Sequence, residues 1–427
     1  MRAPLTTLAL LGALALPARA QTVAIVGGTV HPVSGPKLEN ATVLIRDGRI
    51  VAVGQNVQVP AGAQRIDAAG KWVTPGFINA ATTLGVVEIG GAPETRDVSA
   101  RGRDAVAAAF TVWDGFNPAS VLFAPARNDG VTTVGVVPAG GLIAGQSAMV
   151  DLVDGTATDM VRRAPVAMVA TMTAPGGQGN VPASRGEVQV RLREILTDVR
   201  AYQRNRAAYD RNESRELAVS RADLEALIPV LAGRVPMLVE ADRASDIDAA
   251  LRLSREFGFR LVIVGGAEAW QVADRLKAAN VPVLTGAMNN IPASFSTLGA
   301  RQENVGLLRR AGVAVAIIGN AGGGDEASFN VRNVRFEAGN AVAYGASWDD
   351  ALRAVTLTPA EVFGVADRVG SLAVGKDANV VVWSGDPFEF ATQAEHVFIR
   401  GRSVKAPSRQ DQLMERYKTL PPSYRQP

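Results

Sequence analysis

Short, continuous apolar runs recur through the middle of the chain and predict buried strands. They cover residues 131–138, 235–240, 260–264, 281–285 and 313–319. Runs of this length without polar alternation are typical of strands that are buried on both faces of a sheet. Helical patterns separate the later runs, and this alternation predicts parallel βα units that favour a barrel.

One of these helical patterns has clear predicted ends. Ser245 is the expected N-cap, and Gly258 is the expected last residue. Ile247 and Leu251 recur on one face between them. The pattern therefore predicts an amphipathic helix over residues 245–258.

Both ends of the chain follow a different pattern, in which β-like segments predominate. Residues 43–46 and 49–53 flank Asp47-Gly48, a residue pair that suits a two-residue type I′ hairpin turn. Residues 378–383 and 396–400 form a second β-like group near the C-terminus. The two ends are therefore expected to fold differently from the middle.

The first 20 residues have the features of an export signal. A basic Arg2 precedes an apolar run over residues 5–16, and Ala18-Arg19-Ala20 resembles a signal-peptidase site. The run is shorter than the roughly 20 residues that span a bilayer. We therefore expect cleavage before Gln21, export to the periplasm if the source is Gram-negative, and no transmembrane anchor.

Composition excludes several kinds of chemistry. The 427 residues include no cysteine and two histidines, His31 and His396. Disulfides, cysteine-bound metals and a three-histidine zinc site are therefore impossible. The net charge is only +3, and acidic residues interrupt the most basic stretch, residues 185–215. This balance predicts no nucleic-acid partner.

Six segments, in order, resemble the amidohydrolase superfamily and in particular its imidazolonepropionase-like branch. The segments are residues 43–54, 61–80, 236–253, 260–276, 313–323 and 356–389. The resemblance implies an α/β fold, a (β/α)8 TIM barrel with a small β-sandwich built from both chain ends. It implies a signal peptide over 1–20, a composite β-sandwich over 21–71 and 368–405, a barrel over 72–367 and a tail over 406–427. The family reaction is hydrolysis of non-peptide C–N bonds.

The residues that hold zinc in such enzymes are replaced in this chain. The resemblance places the first-strand His-x-His pair at Ala81 and Thr83, the strand 5 histidine at Glu240 and the strand 6 histidine at Gly265. The strand 8 catalytic aspartate corresponds to Asn320. Alanine and glycine have no ligating side chain, and an amide cannot accept the proton that the aspartate shuttles.

These replacements predict a degenerate, metal-free amidohydrolase without a cofactor. Such a pseudoenzyme would bind a small molecule or act as the partner of an active relative. The alternative is an active hydrolase with a rebuilt carboxylate site around Glu240. A structural or scaffold role has no positive signal in the sequence.

Other interpretations of the predicted barrel mouth remain open. The ligand-binding candidates are Glu88, Glu240, Asn320 and Asp325. Glu240 with two of the other nearby acidic residues could form an oxygen-only site for Ca²⁺, Mg²⁺ or Mn²⁺; those acidic residues are Glu88, Glu94, Asp97, Asp325 and Glu326. Alternatively, Glu240 pairs with Arg243 or with backbone donors. Glycine-rich segments at 138–141 and 319–324 could hold a phosphate, although tight turns alone would also explain them.

Overall fold

The structure is a computed structural model that describes residues 22–102, 105–173, 182–319 and 326–419. In this part of the chain the strands are β1 (Thr22–Val30), β2 (Leu38–Arg46), β3 (Arg49–Gly54), β4 (Gln64–Asp67), β5 (Trp72–Pro75), β6 (Phe77–Thr82), β7 (Val131–Val136), β8 (Ile143–Asp151), β9 (Val161–Thr171), β10 (Met237–Ala241), β11 (Leu261–Gly265), β12 (Val283–Thr285), β13 (Val315–Ile317), β14 (Val380–Trp383), β15 (Ala394–Ile399) and β16 (Arg402–Ser403).

Most of the helices follow the middle strands. The α-helices of the described residues are α1 (Phe123–Asn128), α2 (Ala157–Met160), α3 (Arg185–Arg204), α4 (Arg206–Asp210), α5 (Arg221–Leu231), α6 (Ala244–Phe257), α7 (Ala273–Ala278), α8 (Asn304–Arg310), α9 (Glu326–Phe329), α10 (Val334–Ala343), α11 (Trp348–Ala354), α12 (Leu357–Val362) and α13 (Arg409–Tyr417). Short 3-10 helices lie at Pro93–Thr95, Val112–Gly115, Ala269–Val272 and Val331–Asn333. No helix of the described residues has the length and apolar character that crossing a membrane requires.

The two chain ends form one composite sheet of eight strands. Its order is β16-β15-β14-β5-β1-β2-β3, and β4 pairs with β1. β2 and β3 form the predicted hairpin, in which Asp47 (φ 52°) and Gly48 (φ 77°) both adopt positive φ. The type I′ prediction at Asp47-Gly48 is therefore confirmed.

The middle of the chain forms the second eight-stranded sheet, ordered β6 to β13 along the chain. β6 and β13 lie beside each other, so the sheet curls into a nearly closed barrel. The predicted α/β fold class, a TIM barrel with a second sheet from both chain ends, is confirmed. One strand departs from the regular pattern, because β8 runs antiparallel to both β7 and β9.

The five predicted apolar runs became β7, β10, β11, β12 and β13, within a few residues of their expected bounds. The predicted helix is α6. It ends as expected at Gly258, which has φ 73°. Its N-cap is Arg243, so the prediction of Ser245 as N-cap was wrong: Ser245 is the second residue of the helix.

A separate apolar cluster fills the interior of the barrel and thereby limits where the barrel can bind a ligand. Its members include one residue from most strands, among them Ile78, Leu238, Val262, Leu284 and Ala316. Ala360, Val362 and Phe363, in and after α12, join the same cluster and close the end at which the parallel strands begin. The carboxyl ends of the parallel strands, called the barrel mouth below, remain the open end.

A buried histidine connects the composite sheet to the barrel. His31 follows β1 and packs between Trp72 and Trp348, with ring-centroid distances of 4.7 and 4.5 Å. Within the described residues its Nε2 atom is buried without a hydrogen-bond partner. Burial and the charge of Lys37 lower the pKa of His31, against opposing effects of Asp349, Asp386 and Glu39.

We expect this histidine to make the fold sensitive to mild acid. Its pKa is lower in the folded than in the unfolded chain, so the unfolded chain binds more protons as the pH falls below about 6.5. The free energy of unfolding should therefore decrease over that range. His31→Phe keeps the ring packing and removes the titration, so urea unfolding at pH 7.5 and pH 5.5 should show a smaller loss for this variant. An equal loss in both proteins would contradict the role of His31.

Candidate binding site at the barrel mouth

A small pocket of about 170 Å³ opens at the barrel mouth. Most of its described wall is aliphatic or backbone, and Glu240 is the one ionisable residue among the described lining residues. The lining residues are Ala81, Val137, Pro138, Ala139, Gly140, Gly141, Ala144, Val169, Ala170, Thr171, Leu238, Glu240 and Val264. They come from β6, β8, β9, β10 and β11 and from the connection between β7 and β8.

Strand alternation directs Glu240 into this pocket. Leu238 belongs to the cluster inside the barrel, and residues two apart on a strand project to the same side. Glu240 therefore also faces the barrel axis, one step closer to the mouth. It keeps solvent-accessible surface because it borders the open pocket.

The environment of Glu240 disfavours its charged form. Burial raises the pKa of Glu240, and the neighbouring Asp242 raises it further. Neither a hydrogen bond nor a cation contributes to this shift among the described residues. Among the described residues, neither Arg243 nor a backbone donor bonds to the Glu240 side chain, so the pairing that was left open is not found there. Arg243 is the N-cap residue of α6, and Glu240 lines the pocket.

Asp242 is a second carboxyl at this strand end, and the sequence analysis missed it. Burial raises the pKa of Asp242, a hydrogen bond from the Ala267 amide opposes the rise, and the charges of Asp246 and Glu268 add to it. The Ala267 nitrogen lies 3.3 Å from Asp242 Oδ1. The two-residue spacing from Glu240 was the available signal, because it places both carboxyls on one side of the strand.

Gly265 leaves the space that Asp242 occupies. It ends β11 with φ 88°, and a Cβ atom added there would lie 2.5 Å from Asp242 Oδ1. A carboxylate from the neighbouring strand therefore fills the position where a side chain at residue 265 would begin.

The two residues at the end of β6 contribute little polar chemistry. Ala81 lines the pocket with a methyl group. Thr83 is buried, and its Oγ1 has no hydrogen-bond partner among the described residues. Its backbone amide donates to the Ala327 carbonyl at 2.9 Å.

The acidic candidates that follow β6 do not join Glu240 among the described residues. Glu88 does not line the pocket, and its Oε1 accepts a bond from Asn117 at 3.4 Å. Asn320 and Asp325 lie outside the described residues. Within the described ranges, no three histidine, cysteine or acidic side chains are grouped so that they could hold a metal ion. The expected grouping of Glu240 with two of Glu88, Glu94 and Asp97 is therefore not formed there, and a grouping that includes Asp325 or Glu326 stays a prediction.

Gly140 and Gly141 form part of the pocket wall. Both have positive φ (88° and 72°), and a Cβ at Gly141 would lie 2.5 Å from the Ala105 carbonyl oxygen. Close backbone packing accounts for Gly141 without a bound phosphate.

Comparisons with known proteins agree with this architecture. The amidohydrolase family profile matches residues 250–405. Imidazolonepropionase from Acidiphilium cryptum is 25% identical over 397 residues, which cover 82% of this chain and 89% of that protein. An amidohydrolase crystal structure from Thermotoga maritima superimposes with a TM-score of 0.79 at 28% identity, covering 90% of this chain and 99% of that one. Amidohydrolase tasK from Hapsidospora irregularis is 35% identical over 77 residues, and the match covers only 8% of its length.

The fold and these likenesses support the amidohydrolase superfamily, and the chain belongs to that superfamily. Within the superfamily it is imidazolonepropionase-like over most of its length.

The residues described at the mouth do not fit the zinc site that the resemblance implies. Such a site needs about four nitrogen, sulfur or carboxylate ligands. Among the corresponding positions that the structure describes, Ala81 and Gly265 supply none, and Thr83 supplies a neutral hydroxyl. Glu240 is the one strong donor of that set. No step of a zinc-bound water mechanism can be derived for these residues.

Proposed function

We propose that this amidohydrolase-superfamily protein binds a small organic molecule in the mouth pocket without the metal chemistry of its relatives. The observation that carries the proposal is the pocket itself. Ala81 and Gly265 replace two zinc ligands, and Glu240 faces an otherwise aliphatic cavity without a partner among the described residues. A pocket with apolar walls and one fixed charged group has the character of a ligand site.

The proposal includes export and association with an active relative. A cleavable signal peptide, and a periplasmic location if the source is Gram-negative, are supported by Arg2, the apolar run over residues 5–16 and the motif Ala18-Arg19-Ala20. The retained barrel together with replaced ligand positions supports a pseudoenzyme that partners a catalytic amidohydrolase.

A second candidate function is metal-free hydrolysis of a C–N or related bond. One observation favours it: Glu240 and Asp242 adjoin at one strand end, and burial raises the pKa of both. Two carboxyls with raised pKa values can share the roles of general acid and general base.

Metal content tests the main proposal. The protein would be purified without chelators, incubated with zinc, manganese or calcium, dialysed and assayed by elemental mass spectrometry. We expect far less than one ion per chain, and no difference between the wild type and Glu240→Gln. Glu256→Gln, at a surface pair with Arg193, is the matched control.

One tightly held ion per chain, lost in Glu240→Gln but retained in Glu256→Gln, would contradict metal-free binding. Hydrolysis by the metal-free protein that is lost in Glu240→Gln would support the second candidate. An unchanged rate of hydrolysis in Glu240→Gln would exclude Glu240 from that reaction.

A further inference from the structure

The mouth pocket has an acidic group in its wall, and a second acidic group lies beside that one. Glu240 lines the pocket, and the charge that acts on it comes from Asp242, which is also acidic. Asp246 lies farther along the chain and is paired with Arg185 at 2.8 Å. Glu240 and Asp242 thus remain without a cationic partner in the part of the chain that the structure describes.

The pocket walls favour an organic group rather than an inorganic ion. Ala81, Val137, Leu238 and Val264 present hydrocarbon to a space of about 170 Å³. For comparison, an engineered apolar cavity of about 150 Å³ binds benzene. Calcium requires roughly six to eight oxygen ligands, and magnesium requires about six in octahedral geometry. Among the described lining residues, Glu240 supplies the one carboxyl beside aliphatic walls, which meets neither requirement.

We propose that the ligand of this pocket is a small organic ammonium, a protonated amine on a ring-sized or branched hydrocarbon body. The proposal rests on the proposed function of ligand binding at the mouth. The ammonium donates charge-assisted hydrogen bonds to Glu240, and the hydrocarbon body packs against the aliphatic wall. An anionic ligand of the same shape would meet the repulsion of Glu240, and a neutral one would leave the Glu240 carboxylate without a cationic partner.

Three probes of one shape separate charge from size: benzylamine, benzyl alcohol and benzoate. Calorimetric titration of the full chain should give benzylamine an affinity at least about tenfold higher than that of benzyl alcohol, with benzoate weakest. Glu240→Gln should reduce the affinity for benzylamine to that for benzyl alcohol. Glu256→Gln should leave all three affinities unchanged. Ala81→Leu, which narrows the pocket and keeps both carboxyls, should weaken all three probes. Thermal melting checks that each variant is folded.

The outcomes distinguish this inference from the proposed function. If benzyl alcohol or benzoate bound more tightly than benzylamine, and Ala81→Leu abolished that binding, the preference for a cation would be overturned. The proposal that the mouth pocket binds a ligand would still stand. Equal binding of benzylamine by the wild type and Glu240→Gln, or no binding of it, would also overturn the preference. Displacement of benzylamine by stoichiometric calcium or manganese would overturn both proposals, because the pocket would then be a metal site.

Discussion

Replacing Asp151 with asparagine is expected to lower the free energy of unfolding by about 3–5 kcal/mol, the usual cost of removing one partner of a buried ion pair. Asp151 ends β8 and is fully buried. It accepts hydrogen bonds from Arg162 Nε at 3.0 Å and Arg400 Nε at 2.7 Å. Without the carboxylate, two guanidinium groups would lose their shared anion. Urea unfolding, followed by both circular dichroism and tryptophan fluorescence, measures the effect.

This carboxylate matters because its partners come from both sheets. Arg162 lies near the start of β9 in the barrel, whereas Arg400 follows β15 in the composite sheet. Arg162 also reaches Asp377 at 2.8 Å, next to the composite strand β14. Glu213→Gln breaks only an exposed pair with Arg211 and should cost less than about 1 kcal/mol. A loss for Asp151→Asn no larger than that of this control would contradict the structural importance of the network.

The sequence was sufficient to predict the structure wherever the local pattern of residues alone determines the conformation. Asp47-Gly48 predicted its turn because the two residues tolerate the positive φ that a type I′ hairpin requires. The apolar runs predicted β10 and β11 because strands covered on both faces need no polar alternation. The family resemblance then placed Glu240 and Gly265 at the ends of these strands, and the structure has Glu240 near the end of β10 and Gly265 at the end of β11.

The features of the fold and the site that the sequence did not predict depend on contacts between distant parts of the chain. β8 has glycine and polar residues, Gly145, Gln146 and Ser147, within its span, and it is stabilised as a strand by antiparallel pairing with β7 and β9. No local signal predicted that reversal. Asp242 was missed for a related reason: its environment exists only where β10 and β11 adjoin and Gly265 leaves room.

This arrangement means that residue 265, where the resemblance places the strand 6 histidine, cannot accept a larger side chain unless Asp242 moves. A side chain at residue 265 must begin where the Asp242 carboxylate lies, on a backbone whose φ of 88° disfavours any residue except glycine. Asp242 and Gly265 therefore form a matched pair. Gly265→His alone is incompatible with the present position of Asp242.

Gly265→Ala tests this packing of Asp242 against Gly265. It is expected to lower the free energy of unfolding by about 2–3 kcal/mol. Positive φ contributes roughly 1–2 kcal/mol, and displacing Asp242 from the Ala267 amide contributes about another 1 kcal/mol. Gly258→Ala is the control, because Gly258 has a similar φ of 73° but no atom within 4 Å of an added Cβ. It should show the backbone cost alone. Asp242→Ala combined with Gly265→Ala should cost less than the sum of the two single changes, because the clash is then removed. Equal costs for the two glycine variants, or strict additivity in the double variant, would show that Asp242 does not occupy the place of the missing side chain.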